Sequence, residues 1–238
     1  MTAGDVSTAS DWQGIRLVAF DVDGTLYRQR PLRLRMAVEL ACHAVLERDL
    51  LTLRVLARYR RIRERLGHQE TADFVPALVA ETAAATSTSQ DHVRAIVAEW
   101  IDRRPLCHLA GARYKLRYPG LVELFAGLRA KGKTIGVLSD YAATAKLDAL
   151  GLKADHIVSA EDAAIGVLKP NPKGLIALMR AAGAAPATTV LIGDRPDRDG
   201  LAARRAGVRA MIRSRRPLPG WQTFARFDDP LFGPLLAP

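Results

Sequence analysis

Cysteine is scarce in this chain, since only Cys42 and Cys107 occur among its 238 residues. Two cysteines so far apart form neither a disulfide framework nor the closely spaced ligand pairs of a structural zinc site. We therefore expect both to be small, buried hydrophobic residues. Long apolar runs are also missing: none reaches the ~18 residues that would span a bilayer. The sequence therefore predicts no membrane span.

The N-terminal segment, residues 1–13, lacks the basic and apolar regions of a secretory signal peptide. Its small and polar residues predict a disordered lead-in. Together with the missing disulfide framework, this composition favours a cytoplasmic protein.

Acidic residues are fewer than basic ones, with 25 Asp and Glu against 35 Lys and Arg, which gives a formal net charge of +10. A basic surface attracts nucleic acid, anionic lipid or a phosphorylated metabolite. A biased amino-acid usage gives the same charge without any partner, so the charge alone does not decide. The five histidines show no spacing typical of metal ligands. The hydrophobic content of 49% is ordinary for a globular protein of this size.

The most informative stretch is an apolar run, Leu17 to Phe20, that leads directly into Asp21-Val22-Asp23-Gly24-Thr25. A short, continuous apolar run is typical of a strand buried on both faces of a parallel sheet. Asp21 and Asp23 would point to the same side at the carboxyl end of that strand, where α/β sheets bind ligands. Two such carboxylates repel each other unless a cation such as Mg²⁺ lies between them. The alternative is an ordinary strand that ends in an Asx turn.

Helical periodicity fills the roughly 80 residues that follow, far more than the ~30 residues of a whole βαβ unit. Two helices are predicted at about 32–48 and 50–66, with a break near Asp49. A third begins at Thr71, and a fourth follows an N-cap at Thr88-Ser89 and ends at Pro105. Because this helical segment is so much longer than a simple crossover between strands, the sequence predicts an inserted all-helical cap domain, residues 28–113, above the sheet.

Strands and helices alternate after Pro119, which predicts an α/β protein with a doubly wound, five-stranded parallel sheet. The core domain would comprise residues 14–27 and 114–238. The later strands are predicted at Thr134–Leu138, His156–Val158, Thr189–Ile192 and Val208–Ile212.

Further polar residues follow these strands. Ser139 and Asp140 end the second strand, and Asp194 ends the fourth. Lys169 stands just before a helix, and Asp199 lies in the loop after the fourth strand. Because the carboxyl ends of parallel strands share one edge, we expect these side chains to meet Asp21 and Asp23 there.

In this order the residues resemble the four motifs of the haloacid dehalogenase-like (HAD) hydrolases. The first motif is similar to Asp21–Thr25, the second to Ser139, the third to Lys169-Pro170, and the fourth to Gly193-Asp194 with Asp199. The resemblance covers about 17–27 and 116–212. The helical segment after the first motif is similar to that of the phosphoglycolate phosphatase-like branch.

The resemblance implies a role for each residue. Asp21 would attack phosphorus as the nucleophile, and Asp23 would act as general acid and then as general base. Mg²⁺ would be held by Asp21, Asp194 and the backbone carbonyl of Asp23, while Asp199 would orient a metal-bound water. The implied phosphate-binding residues are Thr25, Ser139, Asp140 and Lys169, the last also counted as catalytic because its charge faces the phosphoryl group.

The resemblance therefore implies a Mg²⁺-dependent phosphatase that hydrolyses a small phosphorylated metabolite through an aspartyl-phosphate, with no nucleic-acid partner. The acid at Asp23 argues against a dehalogenase, since halide needs no proton to leave. A phosphomutase acting on a sugar phosphate is the enzymatic alternative, and a non-catalytic phosphate-binding module is a further one. Tyr141, a bulky residue after the second motif, would either narrow the pocket or pack outside it, the interpretation we favour. The sequence does not indicate an oligomeric state.

A stripe of arginines accompanies the apolar stripe of the second predicted helix. It either faces water, the interpretation we favour, or helps to attract an anionic substrate. Its members are Arg54, Arg58, Arg61 and Arg65.

Overall fold

The computed structural model describes residues 12–236, and its strands form one parallel sheet. Residues 1–11 of the predicted lead-in lie outside the described range, whereas Trp12 is buried. The strands are β1 (Leu17–Phe20), β2 (Thr134–Ser139), β3 (His156–Ser159), β4 (Thr189–Gly193), β5 (Arg209–Arg213) and β6 (Gln222–Phe224). Their order in the sheet is β3-β2-β1-β4-β5-β6.

Strand β1 lies at the centre of the sheet, between β2 and β4. Its last residue, Phe20, is in register with Val137 on one side and Ile192 on the other. The next amide, that of Asp21, donates to the Ile192 carbonyl at 2.9 Å. All three strands therefore end at the same level, which brings the polar residues after them to one edge.

The two faces of β1 pack against different layers, as a doubly wound sheet requires. Val18 and Phe20 belong to a core that includes α6 (Leu121–Ala130), whereas Leu17 and Ala19 pack with α8 (Lys173–Ala181). Because successive side chains of a strand alternate between faces, a strand covered on both sides must be apolar throughout. The remaining core helices are α7 (Thr144–Leu150), α9 (Leu201–Arg205) and α10 (Gly233–Leu236).

The prediction of five strands is wrong by one, because the C-terminal tail adds β6. Met211 of β5 is in register with Gln222, and Arg213 with Phe224. Three residues in a proline-rich tail are too few to display a strand period. The aromatic residues of this tail nevertheless pack inward, and Phe227 and Phe232 are fully buried.

The segment between β1 and β2 is helical, as predicted. Asp49 separates the first two helices as predicted, and its carboxylate accepts from the amides of Leu51 and Thr52 as an N-cap. Ser89 caps the fourth helix in the same way. The helices are α1 (Gln29–Leu46), α2 (Leu50–His68), α3 (Phe74–Thr86), α4 (Gln90–Val97) and α5 (Arg104–Leu116).

Pro105 does not end a helix, contrary to the prediction. A π-helical segment, Ala98–Arg103, joins α4 to α5, and Pro105 lies in the first turn of α5. Proline lacks an amide hydrogen and crowds the carbonyl four residues earlier. The wider π-helical turn changes the hydrogen-bonding pattern just before the proline, so the chain continues as a helix.

The helical segment leaves and rejoins the sheet through neighbouring backbone segments. The Arg28 amide donates to the Leu116 carbonyl at 2.8 Å, and the Tyr118 amide donates to the Leu26 carbonyl at 3.3 Å. From this attachment, α1, α2 and the π-helical segment cover the carboxyl edge of the sheet as a helical cap.

The prediction that both cysteines are buried is wrong, since Cys42 on α1 and Cys107 on α5 are exposed. Only Leu32, Met36 and Ala44 of α1 are buried. Because a cap helix has few neighbours, only a narrow strip of its surface is buried. A small hydrophobic residue outside that strip is therefore exposed to water. Within residues 12–236, no helix combines the length and the apolar character needed to cross a membrane.

Candidate active site

A buried lysine joins two aspartates at the carboxyl edge of the sheet. Lys169 donates through Nζ to Asp21 Oδ1 at 2.5 Å and to Asp199 Oδ1 at 2.6 Å. All three side chains are at least nine-tenths buried. Burial lowers the pKa of Lys169, but the Asp199 and Asp21 carboxylates outweigh it and hold the pKa well above its ordinary value. The lysine therefore stays charged and fixes the position of Asp21.

The first motif shapes the surroundings of Asp21 through two small residues. Thr25 is fully buried and donates through Oγ1 to Asp21 Oδ2 at 2.8 Å, so it orients this carboxylate. Gly24 has φ +95°, and a Cβ there would lie 2.3 Å from Asp194 Oδ2. Only glycine both adopts this backbone conformation readily and lets Asp194 come so close.

Asp194 follows β4 and completes a group of three acids. One carboxylate oxygen each from Asp21, Asp194 and Asp199 lie within 4.8 Å of one another. Burial raises the pKa of Asp194 to about 6, and the Asp199 carboxylate contributes in the same direction. Burial likewise raises the pKa of Asp21 well above its ordinary value, although Lys169 opposes the shift. Of these three acids, Lys169 pairs with Asp21 and Asp199.

These acids fit a divalent metal ion. Asp194 Oδ1 is buried and has no hydrogen-bond partner in the part of the chain that the structure describes. Carboxylate oxygens are the ligands that Mg²⁺ prefers, and an added cation would offset the repulsion that raises the pKa of Asp194. The Asp23 carboxylate lies outside this group, as expected if only its backbone carbonyl approaches the metal.

Asp23 is held by two partners of its own. Lys146 donates through Nζ to Asp23 Oδ2 at 2.6 Å, and the Tyr27 hydroxyl donates to Asp23 Oδ1. Burial raises the pKa of Asp23, but the Lys146 ammonium and these hydrogen bonds outweigh it, so the pKa lies below its ordinary value. The two aspartates of the first motif thus occupy distinct environments, with pKa values shifted in opposite directions.

Ser139 and Asp140 connect the second motif to the third. The fully buried Ser139 Oγ accepts from the Tyr141 amide at 3.2 Å. Asp140 Oδ1 accepts from the Lys169 amide at 3.0 Å. The loop after β2 is therefore fixed beside the lysine.

A cavity of about 560 Å³ lies between this edge and the cap. The predicted residues Asp21, Asp23, Asp140, Asp194 and Asp199 all line it. Tyr141 lines it too, so the favoured interpretation that this side chain packs outside the site is wrong. Apolar cap residues form part of the opposite wall, and they include Leu32, Met36, Trp100, Ile101 and Pro105.

The cap is tied to the fourth motif through Glu64 of α2. This carboxylate accepts from Arg195 Nη1 at 3.0 Å and from Arg198 Nη2 at 2.7 Å. The buried Arg198 also donates to the Lys169 carbonyl. Asp197, in the same loop, is exposed and pairs with Arg195 at 2.8 Å.

The predicted arginine stripe lies on the opposite side of α2 from the cavity. Arg58 and Arg61 are exposed, whereas Arg60 and Arg63 of the same helix line the cavity. Because successive residues of an α-helix are rotated by 100°, the mean direction of Arg58 and Arg61 differs from that of Arg60 and Arg63 by more than a third of a turn. This geometry favours the solvated interpretation of the stripe.

We therefore expect the double variant Arg58→Gln, Arg61→Gln to keep the wild-type kcat/KM. Steering by exposed charge would act on the encounter rate and would fade with salt, because the screening length is about 8 Å at physiological ionic strength. Measurement of kcat/KM at low and high salt tests this expectation. A loss confined to low salt, with kcat unchanged, would instead show that the stripe attracts substrate.

A buried lysine among acids, at the carboxyl edge of a parallel sheet and beneath a helical cap, is the arrangement that the four motifs imply. A model of the haloacid dehalogenase-like hydrolase family matches residues 15–207. The chain therefore belongs to this family of hydrolases, as the sequence predicted.

One curated relative is the glyceraldehyde 3-phosphate phosphatase of Methanopyrus kandleri, which is 30% identical over 210 residues and is matched over 84% of its length and 85% of this chain. A 2-haloacid dehalogenase from Pseudomonas syringae pv. Tomato has a TM-score of 0.63 at 21% identity, covering 92% of this chain and 98% of that one. The HAD-hydrolase YfnB of Bacillus subtilis, in a structure bound to magnesium, has a TM-score of 0.64 at 17% identity, and the match covers 93% of this chain and 98% of that one. At such identities the structures show the shared fold alone. The comparisons do not single out the phosphoglycolate phosphatase-like branch.

Proposed function

We propose that this protein is a Mg²⁺-dependent phosphatase that hydrolyses a small phosphorylated metabolite through an aspartyl-phosphate on Asp21. The observation that carries the proposal is the group of three acids around Lys169, with carboxylate oxygens within 4.8 Å of one another at the rim of the cavity. Such a concentration of negative charge destabilises the fold unless a cation binds, so it indicates a functional site.

In the first step, an oxygen of Asp21 attacks phosphorus while the bond to the leaving oxygen breaks. Lys169 and Thr25 hold the two Asp21 oxygens and so fix the direction of attack. Asp23 gives a proton to the leaving oxygen. The doubly charged phosphoryl group favours this proton on Asp23, since a nearby negative charge raises the pKa of a carboxyl group.

In the second step, water attacks phosphorus and Asp21 leaves as a carboxylate. Asp23 now lacks its proton, and it takes one from the attacking water. Lys146 and Tyr27 stabilise the ionised Asp23 that this step needs. In the protein without ligands the pKa of Asp21 is raised and that of Asp23 is lowered, the reverse of what the two roles need. A divalent cation beside Asp21 and a phosphoryl group beside Asp23 would each oppose that shift.

Asp21, Asp194 and the backbone carbonyl of Asp23 would hold Mg²⁺, with Asp199 positioned by its bond to Lys169 and by the Asp194 amide. When bound, the ion supplies neutralising charge beside the phosphoryl oxygens. Ser139, the Asp140 amide and Lys169 would complete the phosphate site. The resulting enzyme needs mainly positioning and charge compensation, which is what phosphoryl transfer demands.

A small substrate is supported by the cavity of about 560 Å³ and by the relative from Methanopyrus kandleri. That relative acts on a three-carbon phosphate according to its name. The cytoplasmic location and the division into core (14–27 and 114–238) and cap (28–113) remain predictions.

Removal of divalent metal should abolish phosphate release. We expect wild-type protein treated with a chelator to release phosphate from 4-nitrophenyl phosphate at least about 100-fold more slowly, and added Mg²⁺ to restore the rate. The measurement is inorganic phosphate with and without Mg²⁺. Activity that persists after chelation would contradict the metal requirement. Isomerisation of a sugar phosphate without phosphate release would instead identify a phosphomutase.

A further inference from the structure

Two buried arginines in the cavity wall each have a nitrogen without a described partner, Arg63 through Nη1 and Arg198 through Nε, and Arg63 is the one that the cap contributes. Arg63 of α2 is 5% exposed and lines the cavity, yet its Nη1 is buried and has no hydrogen-bond partner within residues 12–236. Its Nη2 donates to the Asp140 carbonyl and pairs with Glu161 Oε1 at 3.1 Å. A buried donor without an acceptor is destabilising, so such groups usually have a partner in the working protein.

The position of Arg63 relates it to the leaving group. Its guanidinium stacks on the Tyr141 ring at 3.8 Å, and Lys146 Nζ lies 4.8 Å from the centre of the same ring. Lys146 in turn pairs with Asp23, the residue that would protonate the leaving oxygen. One aromatic ring therefore separates Arg63 from the leaving-group side of the reacting phosphate.

Two further arginines of the cap line the same cavity. Arg33 of α1 and Arg60 of α2 are exposed at its walls and form no ion pair with any described residue. Apart from Asp194, the acids that line the cavity are already engaged. Lys169 pairs with Asp21 and Asp199, Lys146 pairs with Asp23, and Arg195 and Arg198 pair with Glu64. The cap side of the cavity thus carries an excess of positive charge that the protein itself does not neutralise.

We propose that Arg63, assisted by Arg33 and Arg60, binds a second anionic group on the part of the substrate that leaves as the alcohol. The substrate class is then a phosphomonoester that carries an additional carboxylate or phosphate. This inference rests on the proposed phosphatase function, because it takes Asp23 as the leaving-group acid. The second anionic group of this substrate class contrasts with the neutral aldehyde of glyceraldehyde 3-phosphate, the compound named for the Methanopyrus kandleri relative.

Matched substrate pairs test the inference on the wild-type enzyme. The first pair is 3-phosphoglycerate and glyceraldehyde 3-phosphate, which differ only in a carboxylate against an aldehyde. The second is propane-1,3-diol bisphosphate and propyl phosphate. We expect kcat/KM to favour the anionic member of at least one pair by about 10- to 100-fold, the range for a hydrogen bond to a charged group. Which pair shows the preference distinguishes a carboxylate from a phosphate.

Variants of the cap arginines connect this preference to its cause. Arg63→Gln should reduce the preference to near unity through a higher KM for the anionic substrate, with the neutral substrate changed little. Arg63→Lys should retain part of the preference because it keeps the charge. Arg60→Gln, at an exposed position where folding is not at risk, should reduce the preference severalfold. The matched control is Arg58→Gln on the outer side of α2, which should leave the preference intact.

Two results would overturn the inference. One is a wild-type kcat/KM that, in both pairs, is as high for the member without the second anionic group as for the member that carries it. The other is a preference that survives both Arg63→Gln and Arg60→Gln. Failure of the proposed function is separable, because it would abolish phosphate release from 4-nitrophenyl phosphate as well as from every member of the pairs.

Discussion

Asp21→Asn should lower turnover by a factor on the order of 10⁴ while the protein stays folded. The amide keeps the size of the side chain, and its oxygen can still accept from Lys169 or Thr25. It lacks the negative charge and the lone-pair reactivity that attack on phosphorus requires. The measurement is phosphate release under saturating substrate, with thermal unfolding recorded on the same preparation.

Stability should not fall in parallel with activity. Burial raises the pKa of Asp21 well above its ordinary value despite Lys169, so the ionised form is less favourable in the folded protein than in the unfolded chain near neutral pH. Asparagine removes that penalty, and Lys169 keeps Asp199 as a partner. We expect an unfolding temperature equal to or above that of the wild type. The matched control is Asp197→Asn, an exposed acid in the loop after β4, which should keep full activity. Turnover of Asp21→Asn within tenfold of the wild type would contradict the proposed nucleophile.

Asp23→Asn should slow the reaction in proportion to how much the leaving group needs a proton. General acid catalysis contributes typically 10²–10⁴-fold. We expect a loss of about 10³-fold for an alkyl phosphate, whose alkoxide leaves poorly. For 4-nitrophenyl phosphate, whose phenolate leaves without a proton, the loss should be about tenfold. The activated ester is the internal control, since it reports damage to the rest of the site. Equal losses for both esters would show that Asp23 has another role.

The residues at the strand ends were predictable because the geometry of a parallel sheet is simple. The apolar run of β1 indicated a strand, and the register of such strands brings their carboxyl ends to one edge. The sequence alone therefore predicts that Asp21, Ser139 and Asp194 lie together. Strand β6 was not predictable from the sequence, because its three residues show no period. Its pairing depends on the packing of the aromatic tail against the sheet.

The partners of Asp23 could not be predicted in this way. Lys146 lies 123 residues away, and the sequence gives no sign that its ammonium reaches Asp23. Tyr27 is four residues from Asp23, but its orientation depends on the turn at Gly24. Both contacts depend on backbone geometry outside regular strands, where periodicity carries no information.

The cap arginines show a second limit of sequence reasoning. The pattern of α2 separates buried from exposed positions, but it does not say what the buried side chains contact. The arginine stripe is regular in sequence, yet it lies away from the cavity. Arg63 belongs to the buried part of α2 and breaks no pattern, yet it lines the cavity and has an unpaired donor. Its position depends on how the cap docks on the sheet edge.

The stereochemical course at phosphorus tests the central claim most directly. The claim is that the phosphoryl group passes through Asp21 on its way to water, which involves two in-line displacements. A chiral thiophosphate ester hydrolysed in isotopically labelled water reports that course. Two displacements, each with inversion, predict net retention of configuration. Net inversion would mean that water attacks the substrate directly, and it would contradict the aspartyl-phosphate.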